Sequence, residues 1–150
     1  GMFGGVGPVH VTIARKAKPE KVVGREKNPK AVEYAHENLE LNNVEDQVEI
    51  IQGDVSDVCP RLGNFDRVLM PSPTNSLEFI QEALSCVEDD GVLVVYSVED
   101  KKNLYENVIE KVSSECDLKD LQVEVLRKRV VADFSPSKRK VAVEFLIKDH

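Results

Sequence analysis

At 150 residues, 41% hydrophobic and 31% charged, the chain has the profile of one ordinary folded domain with enough apolar mass for a sizeable core. No apolar run approaches the ~20 residues of a membrane helix, and no basic segment followed by an apolar one suggests export, so the cytoplasm is the expected compartment. A net charge of −7 argues against a dedicated phosphate-binding protein. The cysteines Cys59, Cys86 and Cys116 are odd in number and widely spaced, which fits neither a disulfide framework nor a metal knuckle and reads as reduced packing.

The first element is a loop, "FGGVGP" at residues 3–8, of the kind that follows a buried strand. Pro8 can open a helix, in which Val9, Ile13 and Ala17 share a face. "KVVGR" (21–25) reads as a short buried strand. In "EKNPKAVEYAHENLELNN", Asn28 can cap a helix that Pro29 opens, with Ala31, Val32, Ala35 and Leu39 facing inward and Asn42 or Asn43 ending it. "QVEIIQGD" is a strand with Asp54 at its carboxyl end, and "FDRVLMPSP" is a strand stopped by Pro71 and Pro73. "SLEFIQEALSCV" is a helix, and "GVLVVYSV" has the unbroken apolar character of a central strand. "KNLYENVIEKVSSE" carries Leu104, Val108, Ile109 and Val112 on one helical face, and the strands "LQVEVLRKRVVADF" and "RKVAVEFLIK" close the chain around the turn "SPSK". The expected fold is a single α/β domain over residues 1–150: a mainly parallel Rossmann-like sheet with helices on both faces and a C-terminal antiparallel hairpin.

Ligands bind such sheets at the carboxyl ends of strands, near the switch in strand order. Four positions collect there. Gly5-Val6-Gly7 lets backbone approach a ligand; Glu26, beside Lys27, follows Gly7 by about the twenty residues at which an acid grips ribose hydroxyls. Asp54, beside Val55, can receive an amine such as that of adenine, and Pro71-Ser72-Pro73 forms an N–H-poor backbone whose carbonyls are expected to point into the cleft. Each also has a purely structural use: the glycines in a tight turn, Glu26 ahead of a helix N-terminus, Asp54 as a turn former. Together they point to a nucleoside-bearing cofactor. The third glycine of a dinucleotide fingerprint is missing, since Val9 or Val11 stands in its region, so a cofactor with ribose and adenine but no phosphate is favoured; S-adenosylmethionine fits.

The stretch "FGGVGP…IARK…KVVGREKNPKAVEYAHENLELNNVEDQVEIIQGDVSDV" resembles the core of archaeal-type tRNA (guanine-N1)-methyltransferases. "FDRVLMPSPTNSLEFIQEAL" resembles that family's fourth-strand segment and helix, and "VVADFSPSKRKVAVEFLI" its closing hairpin. The resemblance implies a class I methyltransferase fold, S-adenosylmethionine as donor, Gly5 and Gly7 near the methionine moiety, Glu26 on the ribose and Asp54 at the adenine. It also makes tRNA the expected partner, for which Arg127, Lys128, Arg129, Lys138, Arg139 and Lys140 are the candidate contacts, although such runs are more often solvated strand edges.

The chain departs from that family in several places. Gly1 falls where the family carries a strand-borne aspartate; Pro71, Ser72 and Pro73 stand where it carries Asn-Leu-Pro, and Thr74 replaces its lysine. Residues that the family is thought to use for acid/base work precede the glycine loop. Glu99 and Asp100 are the carboxylates after the fifth strand, and no catalytic residue is assigned. Two alternatives accompany the methyltransferase reading. One is the tRNA aminocarboxypropyl transferase of the wybutosine pathway, which resembles the same family throughout; the other is a non-catalytic interaction protein with a methyltransferase fold.

Gly1 before Met2 has the form of a residue left by tag removal, so Met2 is the expected start and little precedes the glycine loop. The first strand is then missing or truncated. Its slot lies between "KVVGR" and "FDRVLM", where unpaired buried backbone would cost about 1–3 kcal/mol per group. The expected remedy is direct pairing of those two strands; insertion of a segment from a second copy, making a homodimer, is the alternative.

Overall fold

The β-branched run Val22-Val23 and the apolar positions Val48, Ile50 and Ile51 favour extended backbone, and the two segments form strands β1 (Val22–Glu26) and β2 (Val48–Gln52), parallel, with Glu26 opposite Gln52. The computed structural model describes residues 13–16, 19–72, 74 and 76–149. Helix α1 (Pro29–Leu41) joins β1 to β2. It starts as its sequence demands: Asn28 Oδ1 accepts from the Lys30 N–H at 2.9 Å, and Pro29 takes the first turn, where its missing N–H has no carbonyl to bond. At the other end Asn42 Nδ2 donates to the Asn38 carbonyl at 2.8 Å, and Asn43 adopts a left-handed φ of 54°. Val32, Ala35 and Leu39 are buried with Ala14, Val22, Val44, Val48 and Ile50, and Ile13 packs against this cluster. Residues 13–16 are helical; Val9 and Ala17, expected to share their apolar face, lie outside the described residues.

Beyond β2 a short helix, α2 (Val55–Val58), runs into a 3-10 turn at Cys59–Arg61. These elements complete one compact unit, Gly1–Arg61; Leu62–His150 is the second.

In the second unit, strand β3 (Phe65–Met70) ends just before Pro71, as expected. The segment read as one helix is a 3-10 turn at Ser76–Phe79 followed by helix α3 (Ile80–Leu84). Strand β4 (Val87–Asp100) begins earlier than "GVLVVYSV" suggests, because Phe65 pairs with Val87 and Arg67 only with Val92. The intervening residues bulge, with Asp90 at φ 62° and with Gly91 so close to Val87 that a Cβ would stand 2.6 Å from Cγ1. Helix α4 (Glu106–Leu118) starts after Leu104, which is half-buried outside it, and buries Val108, Val112 and Cys116.

Strands β5 (Leu121–Asp133) and β6 (Lys138–Asp149) form the expected antiparallel hairpin. The sheet order is β3-β4-β6-β5, with β3 and β4 parallel and β6 antiparallel to β4. Its buried positions include Met70, Leu93, Val95, Val141, Val143 and Phe145, the last the largest side chain fully removed from solvent. None of the three cysteines is in a disulfide and all three are buried, so the packing reading of them holds. The expected direct pairing of β1 with β3 is not found: among the described residues β1 pairs with β2 and β3 with β4, in separate sheets. Residues 1–12, on which the missing-strand expectation turns, lie outside the described residues.

Candidate functional site

Parallel pairing of β1 and β2 brings their carboxyl ends together, and with them Glu26, Lys27, Gly53 and Asp54. The Gly53 N–H donates to the Glu26 carbonyl at 3.0 Å, and the buried Arg25 guanidinium donates from Nη1 to the Gly53 carbonyl at 3.0 Å. Gly53 has a φ of 157°, and a Cβ there would stand 2.5 Å from Val58 Cγ2, so the turn from strand into α2 leaves no room for a side chain.

Glu26 Oε1 accepts from the backbone N–H groups of Lys27 at 2.9 Å and Asn28 at 3.1 Å. A carboxylate is thereby fixed at the strand end, ahead of α1, where a helix N-terminus favours negative charge. Asp54 caps α2: Oδ1 accepts from the Ser56 N–H at 3.1 Å, and Oδ2 lies 3.4 Å from Lys27 Nζ. The Ser56 hydrogen bond, then Lys27 and Arg25, hold the Asp54 carboxyl below the usual range, so it is an acceptor at neutral pH. Val55 is fully buried as the first residue of α2. Asp54 was read as an acceptor or a turn former, and neither the helix it caps nor a role for Arg25 was read from the sequence.

At the end of β3, Pro71 and Ser72 are half-buried. Of the carbonyls expected to point into a cleft, that of Ser72 accepts within the chain: the buried Ser76 hydroxyl lies 2.5 Å from it and 2.8 Å from the Met70 carbonyl. The serine that starts the 3-10 turn thus satisfies acceptors that the prolines cannot pair. Pro73, with Gly5, Val6 and Gly7, lies outside the described residues. At the end of β4, Glu99 is buried and its Oε1 accepts from Ser97 Oγ at 2.6 Å and Asn107 Nδ2 at 3.2 Å, tying the strand to the first turn of α4. Asp100 is exposed and accepts from the Lys102 N–H.

Among the six candidate cations of the hairpin, Arg127 faces Glu144 across the β5–β6 ladder, Lys128 faces Val143 and Arg129 faces Ala142, while Lys140 faces Ala132 and Arg139 faces Asp133. Lys128 Nζ stands 5.4 Å from the centre of the Tyr105 ring, Lys140 Nζ 5.4 Å from that of Tyr96, and Arg129 Nη2 donates to the Tyr96 hydroxyl at 3.4 Å. Arg139 is the one of the six with a carboxylate partner among the described residues, Asp133 at 2.7 Å. Among the described residues no cluster of His, Cys, Asp and Glu could hold a metal ion, and no helix is long and apolar enough to cross a membrane.

Residues 1–126 match the TRM5/TYW2 methyltransferase domain. The chain belongs to that family. It is 34% identical to the tRNA (guanine(37)-N(1))-methyltransferase Trm5b of Pyrococcus abyssi over 146 residues, 97% of this chain and 42% of the relative. It is 30% identical to the tRNA(Phe) (4-demethylwyosine(37)-C(7)) aminocarboxypropyltransferase of Methanocaldococcus jannaschii, over 73% of this chain and 43% of that one. The crystal structure of M. jannaschii TYW2 in complex with AdoMet superimposes with a TM-score of 0.93 at 27% identity, covering 99% of this chain and 67% of that one. The fold is therefore the class I methyltransferase fold that the resemblance implied. The chain spans about two fifths of the length of these two curated relatives.

Proposed function

We propose that this TRM5/TYW2-family chain binds S-adenosylmethionine and serves methyl transfer to a guanosine of tRNA. The observation that carries the reading is the pair of carboxylates at adjacent parallel strand ends, Glu26 fixed by two backbone N–H groups and Asp54 held ionised beside a glycine that admits no side chain. The residues fit the cofactor's nucleoside. Glu26 would accept from the ribose hydroxyls and Asp54 from the adenine amine, with Lys27 and Val55 next to them in sequence; Gly5, Val6, Gly7 and Pro71 are the further cofactor candidates that the sequence offers. When bound, S-adenosylmethionine supplies an activated methyl group on a sulfonium; this chain's own residues bind and orient the nucleoside half.

Both units belong to one methyltransferase-like domain in this reading, supported by a family match that runs across the boundary at Arg61. The acceptor RNA is assigned to Arg127, Lys128, Arg129, Lys138, Arg139 and Lys140. In support, five of these carry no carboxylate partner among the described residues, and Tyr96 and Tyr105 offer ring faces beside them, the combination that neutralises phosphates and stacks unpaired bases. A second reading, aminocarboxypropyl transfer from the same cofactor, is favoured by the likeness to the M. jannaschii aminocarboxypropyltransferase.

The test is calorimetry with S-adenosylmethionine, then transfer of radiolabel from that cofactor to unmodified tRNA. Binding with labelled tRNA supports the proposal, and mass spectrometry of the RNA separates a methyl from an aminocarboxypropyl product. Binding without transfer leaves the non-catalytic reading standing; no binding at millimolar cofactor refutes the site.

A further inference from the structure

Arg25 is a costly residue for a strand interior. It is 5% exposed, and its desolvation lowers its pKa against the opposing pull of Asp54, Glu26 and Cys59. Taking a guanidinium out of water is expensive unless fixed acceptors and charges repay it, whereas an apolar side chain would pack there at no such cost. What Arg25 touches shows where the repayment lies. Its Nη1 donates to the Gly53 carbonyl at 3.0 Å, while the Gly53 N–H is held by the Glu26 carbonyl at 3.0 Å. Gly53 is thus clamped through both of its backbone polar groups, and the next residue is Asp54.

Two cations act on the Asp54 carboxylate, and they differ in permanence. Lys27 Nζ, 3.4 Å from Oδ2, belongs to a side chain that is 75% exposed, so its hold is weak and easily exchanged. It also competes for an oxygen that a ligand amine would need. Arg25 acts from the buried strand and cannot leave.

Resting on the proposed reading of Glu26 and Asp54 as nucleoside ligands, we infer that Arg25 is the positioning residue of the adenine end of the site. It fixes the Gly53–Asp54 turn through the Gly53 carbonyl and is the cation that stays beside that turn when an incoming amine displaces Lys27. Lys27 is then a removable cover over Asp54 rather than a ligand of the cofactor. A role confined to stability would lower the melting temperature of an Arg25 variant and leave the pH dependence of binding untouched.

The test is calorimetry of the full chain with S-adenosylmethionine across a pH series, for wild type, Arg25→Met, Arg25→Lys and Lys27→Ala, with thermal melts of each protein alone. Wild-type affinity is expected to fall only in acid, as Asp54 takes up a proton. Arg25→Met should weaken binding about tenfold, as expected for a lost charge-assisted hydrogen bond, and move that fall to higher pH. Arg25→Lys, which keeps the charge without the fork, should weaken binding with the fall left in place. Lys27→Ala, which uncovers the Asp54 oxygen, should bind the cofactor more tightly than wild type.

Wild-type affinity and an unmoved acid fall in Arg25→Met would overturn the inference; if that variant does not fold, undiminished affinity in Arg25→Lys would overturn it. Weakened binding by Lys27→Ala would restore Lys27 as a ligand and equally count against it. A wild-type chain that fails to bind the cofactor at all refutes the site itself, a different result from a wild type that binds beside indifferent Arg25 variants.

Discussion

Glu26→Gln separates binding from folding at the proposed ribose position. The glutamine amide oxygen can still accept from the Lys27 and Asn28 N–H groups, which the native Oε1 does at 2.9 and 3.1 Å, so the turn between β1 and α1 is preserved. What is lost is the negative charge opposite the ligand's hydroxyls. Hydrogen bonds to a charged group contribute about 1.5–3 kcal/mol against about 0.5–1.5 kcal/mol for neutral ones, so the change should cost roughly 1–2 kcal/mol in binding, or about 5- to 30-fold in Kd. Calorimetry with S-adenosylmethionine and with its demethylated product measures it, and an unchanged melting temperature in the absence of ligand confirms that the turn survived. Equal affinity of wild type and Glu26→Gln for both ligands would refute the assignment of Glu26 to the ribose, and with it the reading of the β1 end as a nucleoside site.

Much of the fold was legible because several signals were local. Asn28 and Pro29 announce a helix start by an acceptor and a missing donor in adjacent positions, and α1 begins there. Met70 ends β3 because Pro71 cannot donate to a ladder. The positions of the two acids were legible, since β1 ends at Glu26 and Asp54 follows the end of β2. The failures share a cause in partners distant along the chain. The use of Arg25 is invisible until the Gly53 carbonyl, just past the end of β2, is brought to its guanidinium. The carbonyls of Met70 and Ser72 look free until Ser76 turns back onto them. The bulge that lengthens β4 depends on how Phe65 and Arg67 register against Val87 and Val92, which no run of residues within β4 reveals. Asp54 was legible as an acceptor but not as a cap, because a helix as short as α2 has too few turns to show a period.

Further expectations follow from particular contacts. Phe145→Ala, at a side chain fully removed from solvent in β6, should destabilise the chain by about 3–5 kcal/mol in urea unfolding; a loss under 1 kcal/mol would mean that the second unit's core is not built around it. Replacing Arg127, Lys128 and Lys140 with glutamine should weaken tRNA binding and flatten its dependence on salt while leaving cofactor affinity unchanged, and an unaltered salt slope by filter binding would remove the hairpin from the RNA interface. The Glu115 carboxyl is held below its ordinary range, first by its hydrogen bond from Lys111 and then by that from Gln81. A carboxylate depressed in the folded state adds stability that is present above its unfolded pKa of about 4.3 and is lost as pH falls through the lower folded value. The stability difference between wild type and Glu115→Gln should therefore be full at pH 7 and shrink below about pH 4, once the native carboxyl also becomes neutral. The variant keeps an oxygen acceptor but no charge, so the Lys111 ammonium loses its counter-ion between α3 and α4 while the packing around Gln81 is unchanged in volume. Urea midpoints for both proteins from pH 3 to pH 7 measure the difference directly, and a gap that stays constant across that range would show that Glu115 acts there by shape and hydrogen bonding, with its charge contributing nothing to the fold.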